Sequence, residues 1–233
     1  IRDILIAIYL GAGPIADAFF VAFRIPNTFR RLFSEGTFNA AFVPSYKSEL
    51  NRGKNKAKQF ANNVFNILLI SLFFIVVVIE IFMPFFVSII APGFKASSDK
   101  LELAIVLTRI TFPFLLLVSL SSFFSAILNS NNKFAAASAS PIILNIILIL
   151  VLLLAKFLSD DLVYYISYAV TIAGLIQLIF LIFFVRKYFT PVISFKLNYN
   201  NKIKFFFKKL FPSIFSSGVT QINILVGTII ASF

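Results

Sequence analysis

Long apolar stretches separated by short polar ones set the pattern of this chain. Ile67 to Ile79, Leu115 to Leu120, Ile142 to Ala155 and Leu175 to Val185 are apolar almost throughout, broken only by a stray Ser, Asn or Gln. Each sits in a stretch that approaches or exceeds the roughly 20 apolar residues needed to cross a hydrocarbon core. Backbone groups find no water there, so spanning segments must be helices or closed barrels. Barrel strands alternate apolar and polar residues with period two, and these runs do not. The pattern therefore predicts membrane helices at about 1–10, 15–46, 60–90, 101–128, 135–157, 162–186 and 210–233. The segment 60–90 is long enough to tilt or to run past the membrane into water. The fold class is all-α and polytopic.

The connecting loops sort by charge. Loop 47–59 carries Lys47, Arg52, Lys54, Lys56 and Lys58 against Glu49, and the loop near Asn129 adds Lys133. Loop 186–209 carries Arg186, Lys187, Lys196, Lys202, Lys204, Lys208 and Lys209 with no acid. Between these lie two loops without positive excess: Lys95 and Lys100 face Asp99 and Glu102, and Lys156 faces Asp160 and Asp161. By the positive-inside rule the basic set is expected in the cytoplasm. The alternation accounts for most of the net charge of +12 without nucleic acid. The mixture of Lys202, Lys204, Lys208 and Lys209 with Phe205, Phe206 and Phe207 reads as an interfacial segment on anionic lipid, or simply as the lead into the last span.

Composition then narrows the chemistry. The chain is 60% hydrophobic and 13% charged, far from the soluble average of about a quarter charged. It has no Cys and no His, which removes disulfides, thiolate metal sites, Cys nucleophiles and imidazole bases. No cofactor and no metal are expected. No Walker-type phosphate loop occurs, and Gly11, Gly13 and Pro14 read as a tight turn. The chain opens at Ile1 without an initiator Met and closes at Phe233 inside an apolar run, so it reads as a fragment.

Charge inside a span is the informative feature, because it costs a few kcal/mol on insertion scales and usually faces a bundle interior or a wet cavity. The second segment holds Asp17, Arg24, Arg30, Arg31 and Glu35, and the first holds Arg2 and Asp3. At about 100° per residue, Asp17, Arg24 and Arg31 share one stripe, with Glu35 a turn beyond. Pro26 and Gly36 offer places to bend the helix. One reading is a cationic cavity for an anionic substrate, since the guanidinium fork binds phosphate oxygens bidentately and stays charged when desolvated. The other is that Arg30, Arg31 and Lys47 lie near the cytoplasmic end and snorkel to the headgroups. Glu80 and Arg109 are single charges in later spans. Asn145, Gln177, Gln221 and Asn223 read as interhelical hydrogen-bond partners.

The run Gly11–Asn27 (GAGPIADAFFVAFRIPN), its continuation Phe29–Phe38 (FRRLFSEGTF) and Ala41–Pro44 (AFVP) resemble the MurJ (MviN) flippases closely. Further matches are Ala91–Phe94, Thr108–Pro113, Ile127–Asn129, Phe134–Ala135 and Pro141–Asn145, and near the end Pro212, Gly218–Val219, Gln221–Asn223 and Ala231–Phe233. That resemblance implies a transporter of the MOP superfamily with two six-helix lobes around a central cavity. Residues 1–187 would form the N-terminal lobe, 188–209 a basic linker, and 210–233 helix 7 at the start of the second lobe. It implies cavity positions at Arg2, Asp3 and Arg30, and Asp17, Arg24, Glu35 and Gly36 also match family positions. Together with the charge stripe, a substrate site of Arg2, Asp3, Arg24, Arg30, Arg31 and Glu35 is expected, with Asp17, Pro26 and Gly36 in structural or gating roles. Gly227 departs from the family, which often carries Asp or another polar residue there.

The function implied is translocation of lipid II, the undecaprenyl-pyrophosphate-linked muropeptide of peptidoglycan synthesis, across the bacterial inner membrane, without catalysis. The partners expected are lipid II and anionic membrane lipids, with no nucleic acid, and the chain is expected to act as a monomer. Two alternatives stay open: a flippase for another polyprenyl-linked glycan, and an intramembrane enzyme on polyprenyl phosphates, which would also use Arg beside Glu35. Turnover separates the last from transport, because a flippase returns its lipid chemically unchanged.

Overall fold

A computed structural model describes residues 2–34, 37–155, 162–195 and 201–232, leaving aside the side chains at 25, 29–34, 37, 211, 214–222, 224, 225 and 231. The described residues are helical, with no strand among them. In order they form α1 (Arg2–Leu10), α2 (Pro14–Ser34), α3 (Thr37–Asn51), α4 (Lys54–Ile81), α5 (Met83–Ile90), a short 3-10 turn (Pro92–Ala96), α6 (Ser98–Thr111), α7 (Phe114–Ser130), α8 (Phe134–Leu153), α9 (Leu162–Val185) and α10 (Asn201–Ala231). Four stretches are long and apolar enough to cross a membrane: Lys54–Ile81, Ser98–Ser130, Phe134–Leu153 and Leu162–Val185.

Prolines and glycines place the breaks. Gly11 takes a positive φ of 65° and turns the chain from α1 to α2. Pro84 opens α5 and ends the long third segment at Phe82, so that span stops rather than running on. Pro113 divides the fourth span into α6 and α7. Pro26, in contrast, stays inside α2. It has no N–H to give to the carbonyl of Ala22, and Thr111 of α6 donates its hydroxyl there instead, at 2.9 Å. Thr171 of α9 does the same for the carbonyl of Ile110 at the end of α6, at 2.6 Å.

Two apolar clusters fill the bundle. One gathers Phe19, Phe23, Met83, Phe112 and Phe114 with α8 and α9. The other gathers Phe38, Phe42, Phe60, Phe123 and Phe206, whose rings meet edge to face and stacked at 5.3–6.3 Å. Exposed apolar residues fall on the opposite faces at helical spacing: Ile142, Ile146, Leu150 and Leu153 on α8, Ile172, Ile176, Ile179 and Phe183 on α9. A stripe of this kind is what a helix shows to acyl chains.

The basic loops lie at one end of the bundle. The Asn66 side chain donates to the Val192 carbonyl at 3.0 Å, and the Val192 amide donates to Asn62 at 2.7 Å, which ties the chain after α9 to the start of α4. Glu49, buried at the end of α3, accepts from Arg52 and from Lys202 at the start of α10. Lys133 and Arg186 share one groove. We expect cysteines introduced singly at 54, 133 or 187 to escape an impermeant thiol reagent in intact cells and to react after permeabilisation. The chain has no native Cys to confuse the readout. Labelling of these positions from outside would overturn the topology.

Candidate functional site

Arg2 reaches the middle of α8. Its Nε and Nη2 donate to Asp3 Oδ1 at 2.9 and 2.7 Å, and its Nη1 donates to Asn145 Oδ1 at 2.9 Å. Asn145 lies a little past half-way along α8, about 17 Å from its start and about 12 Å from its end at ~1.5 Å rise per residue. The guanidinium also sits 5.6 Å from the ring centre of Phe23 on α2. So α1, α2 and α8 together orient one cation where an unpaired charge would be costly. A guanidinium has five N–H donors; Asp3 and Asn145 engage three of them. The rest can meet an anionic oxygen.

On α2, Arg24 donates from Nη1 to Thr228 Oγ1 of α10 at 2.6 Å. A neutral hydroxyl leaves the charge of Arg24 uncompensated by that contact, and the bond ties the first lobe to α10. Gly227, beside Thr228, has open space where a Cβ would stand. Asp17 pairs with α6. It accepts from Lys100 at the start of α6 at 2.7 Å, and Lys100 also sits 4.2 Å from the ring centre of Phe94. Nearby, at the same end of the bundle, the Gly93 amide donates to Ser232 Oγ at 3.0 Å. Pro26 is buried within α2.

Arg30 and Arg31 belong to α2 by backbone, but their side chains fall outside the described residues, as do Glu35 and Gly36 altogether. Arg2 and Asp3, neighbours in sequence, bond to each other, whereas Asp17 and Arg24, one stripe in sequence, take partners on different helices. Lys100 and Thr228 were not singled out in the sequence. Lys100 looked like one of a balanced set of loop charges, and a lone Thr carries no signal. Glu80 and Arg109 lie within electrostatic reach of each other.

The architecture and motifs meet in comparisons with known proteins. Residues 6–233 match the family model "Lipid II flippase MurJ". The chain belongs to the MurJ family. Among curated MurJ relatives, the "Probable lipid II flippase MurJ" of Rhizobium tropici is 39% identical over 99% of this chain and 44% of its own length. The relative of the same name in Rickettsia prowazekii is 37% identical over 100% of this chain and 46% of its own. A solved MurJ in the inward closed conformation superposes with a TM-score of 0.84 at 27% identity, over all of this chain and 47% of that one. A MOP superfamily transporter from Pyrococcus furiosus shares the fold, with a TM-score of 0.64 at 17% identity. The chain thus spans about half the length of the MurJ relatives it matches. It is a multi-pass membrane protein with the fold of the first MOP lobe and the start of the second, and the relatives are named as flippases rather than enzymes.

Proposed function

We propose that this chain forms the first lobe of a lipid II flippase of the bacterial inner membrane, and that Arg2, Asp3, Arg24, Arg30, Arg31 and Glu35 line its substrate cavity. The observation that supports the reading is Arg2, a cation held by Asp3 and by Asn145 of the apolar helix α8 with donors to spare. The pyrophosphate of the substrate loses its hydration there and needs charge-assisted hydrogen bonds in return. The undecaprenyl tail stays in the bilayer while the headgroup crosses. Alternating rocking of two lobes, driven by membrane potential, completes the cycle. Residues 188–209 link the lobes, with α10 reaching back to the first lobe through Lys202 and Phe206. The protein acts as a monomer.

The experiment is reconstitution of the full-length protein in proteoliposomes carrying lipid II in one leaflet. Transport predicts that the lipid appears in the other leaflet chemically intact, at least tenfold faster than in protein-free vesicles. Release of phosphate or of a new glycan would assign an enzyme instead. Equal movement of lipid II and an unrelated polyprenyl-linked glycan would broaden the substrate class beyond this reading.

A further inference from the structure

A groove of about 620 Å³ lies between the α7–α8 turn and the end of α9. Both walls are fixed by backbone geometry. On one side Asn132 adopts φ 58°, with its amide bonded to the Asn129 carbonyl at 3.1 Å and the Lys133 amide to the Leu128 carbonyl at 2.9 Å. Those two bonds form a Schellman ending, and they set Lys133 and Phe134 at the rim. On the other side the Arg186 and Tyr188 amides bond back to Ile182 and Val185 at 3.1 and 2.8 Å, and buried Phe189 pins the chain against Phe123. Arg186 stacks 4.2 Å over the ring centre of Phe183.

The lining is chemically one-sided. Lys133, Arg186 and Lys187 supply three cations, and among the described residues no Asp or Glu lines the groove. The floor is aromatic and open: Phe134, Phe183 and Phe184 are 57%, 55% and 43% exposed. Another cavity at this end, about 450 Å³ between α3 and α10, differs because Glu49 already pairs with Arg52 and Lys202 there. The floor also runs into the lipid-facing stripe of α9 through Phe183 and Ile179.

We propose that this groove binds an anionic glycerophospholipid of the cytoplasmic leaflet. Its phosphate sits among Lys133, Arg186 and Lys187, and its acyl chains descend along Phe183 and Ile179. A soluble phosphate would use the cations but leave the aromatic floor wet. A zwitterionic lipid would use the floor but repel the cations with its own positive group. The bound lipid clamps the α7–α8 turn to the end of α9. The site is independent of the flippase reading, since its test measures lipid binding and not flipping.

The test is native mass spectrometry of the delipidated full-length protein titrated with palmitoyl-oleoyl phosphatidylglycerol or the matching phosphatidylcholine. Saturable binding is expected for the phosphatidylglycerol alone. The variant carrying Lys133→Gln, Arg186→Gln and Lys187→Gln should bind it on the order of a hundredfold more weakly, about fivefold per cation lost. Arg186→Gln alone should weaken it about fivefold. Replacing Lys54, Lys56 and Lys58 with Gln removes equal charge from the start of α4, outside the groove, and should leave binding unchanged. The proposal fails if phosphatidylcholine binds as well, or if the groove variants bind like the parent. It also fails if glycerol phosphate displaces the lipid, which would mark a soluble-anion site, or if undecaprenyl pyrophosphate does so, which would mark a substrate site.

Discussion

Arg2→Ala in the full-length protein is expected to abolish growth of cells depleted of their native lipid II flippase, at normal membrane levels. The substitution removes every bond from α1 to Asn145 and leaves Asp3 without its guanidinium. Hydrogen bonds to a charged group contribute about 1.5–3 kcal/mol each, so losing the cation costs substrate binding several powers of ten. Arg2→Lys restores the charge but not the fork, and one ammonium cannot reach Asp3 and Asn145 in the same planar geometry. Its flipping rate should fall at least tenfold. Arg30→Ala is expected to match Arg2→Ala, since the family resemblance assigns both to the cavity. Full complementation by Arg2→Ala and Arg30→Ala at normal expression would remove the cavity assignment and favour arginines that merely snorkel.

The second large effect is structural. Gly174 sits where α9 crosses α7, and a Cβ there would stand 2.5 Å from Cδ2 of the Phe114 ring and 3.3 Å from Cβ of Leu117. Phe114 is fully buried, so its ring has no room to swing away. Gly174→Ala is expected to destabilise the protein by about 1–3 kcal/mol, the usual cost of overpacking, and Gly174→Leu to prevent accumulation in the membrane. Thermal unfolding in detergent and immunoblots of membrane fractions measure the two outcomes. A Gly174→Ala protein as stable as its parent would show that α7 and α9 can separate at no cost.

Hydropathy was enough to find the apolar spans, because each buries one face and shows the other to lipid. It missed where α10 begins. The segment was expected from 210, yet the helix starts at Asn201. Lys202, Lys204, Lys208 and Lys209, on either side of Phe205–Phe207, hide a helical face of Ile203, Phe206 and Leu210, all buried. Their spacing was in the sequence, but the charge around them looked like a loop. Candidate site residues were legible only as charges out of place. Arg2 beside Asp3 needed no tertiary information to meet, whereas Lys100 beside Asp17 did: 83 positions separate them, and no periodicity links a loop Lys to a helix Asp.

The bond from Thr111 to the Ala22 carbonyl binds two distant positions into one heritable unit. With Pro26 in place, the hydroxyl is needed, since Val at 111 would strand a buried carbonyl. With a residue other than proline at 26, the helix supplies its own N–H and the hydroxyl becomes dispensable. A lineage therefore reaches the second solution most easily by losing the proline first. The reverse order passes through a weakened intermediate, so the history of these two sites has a preferred direction.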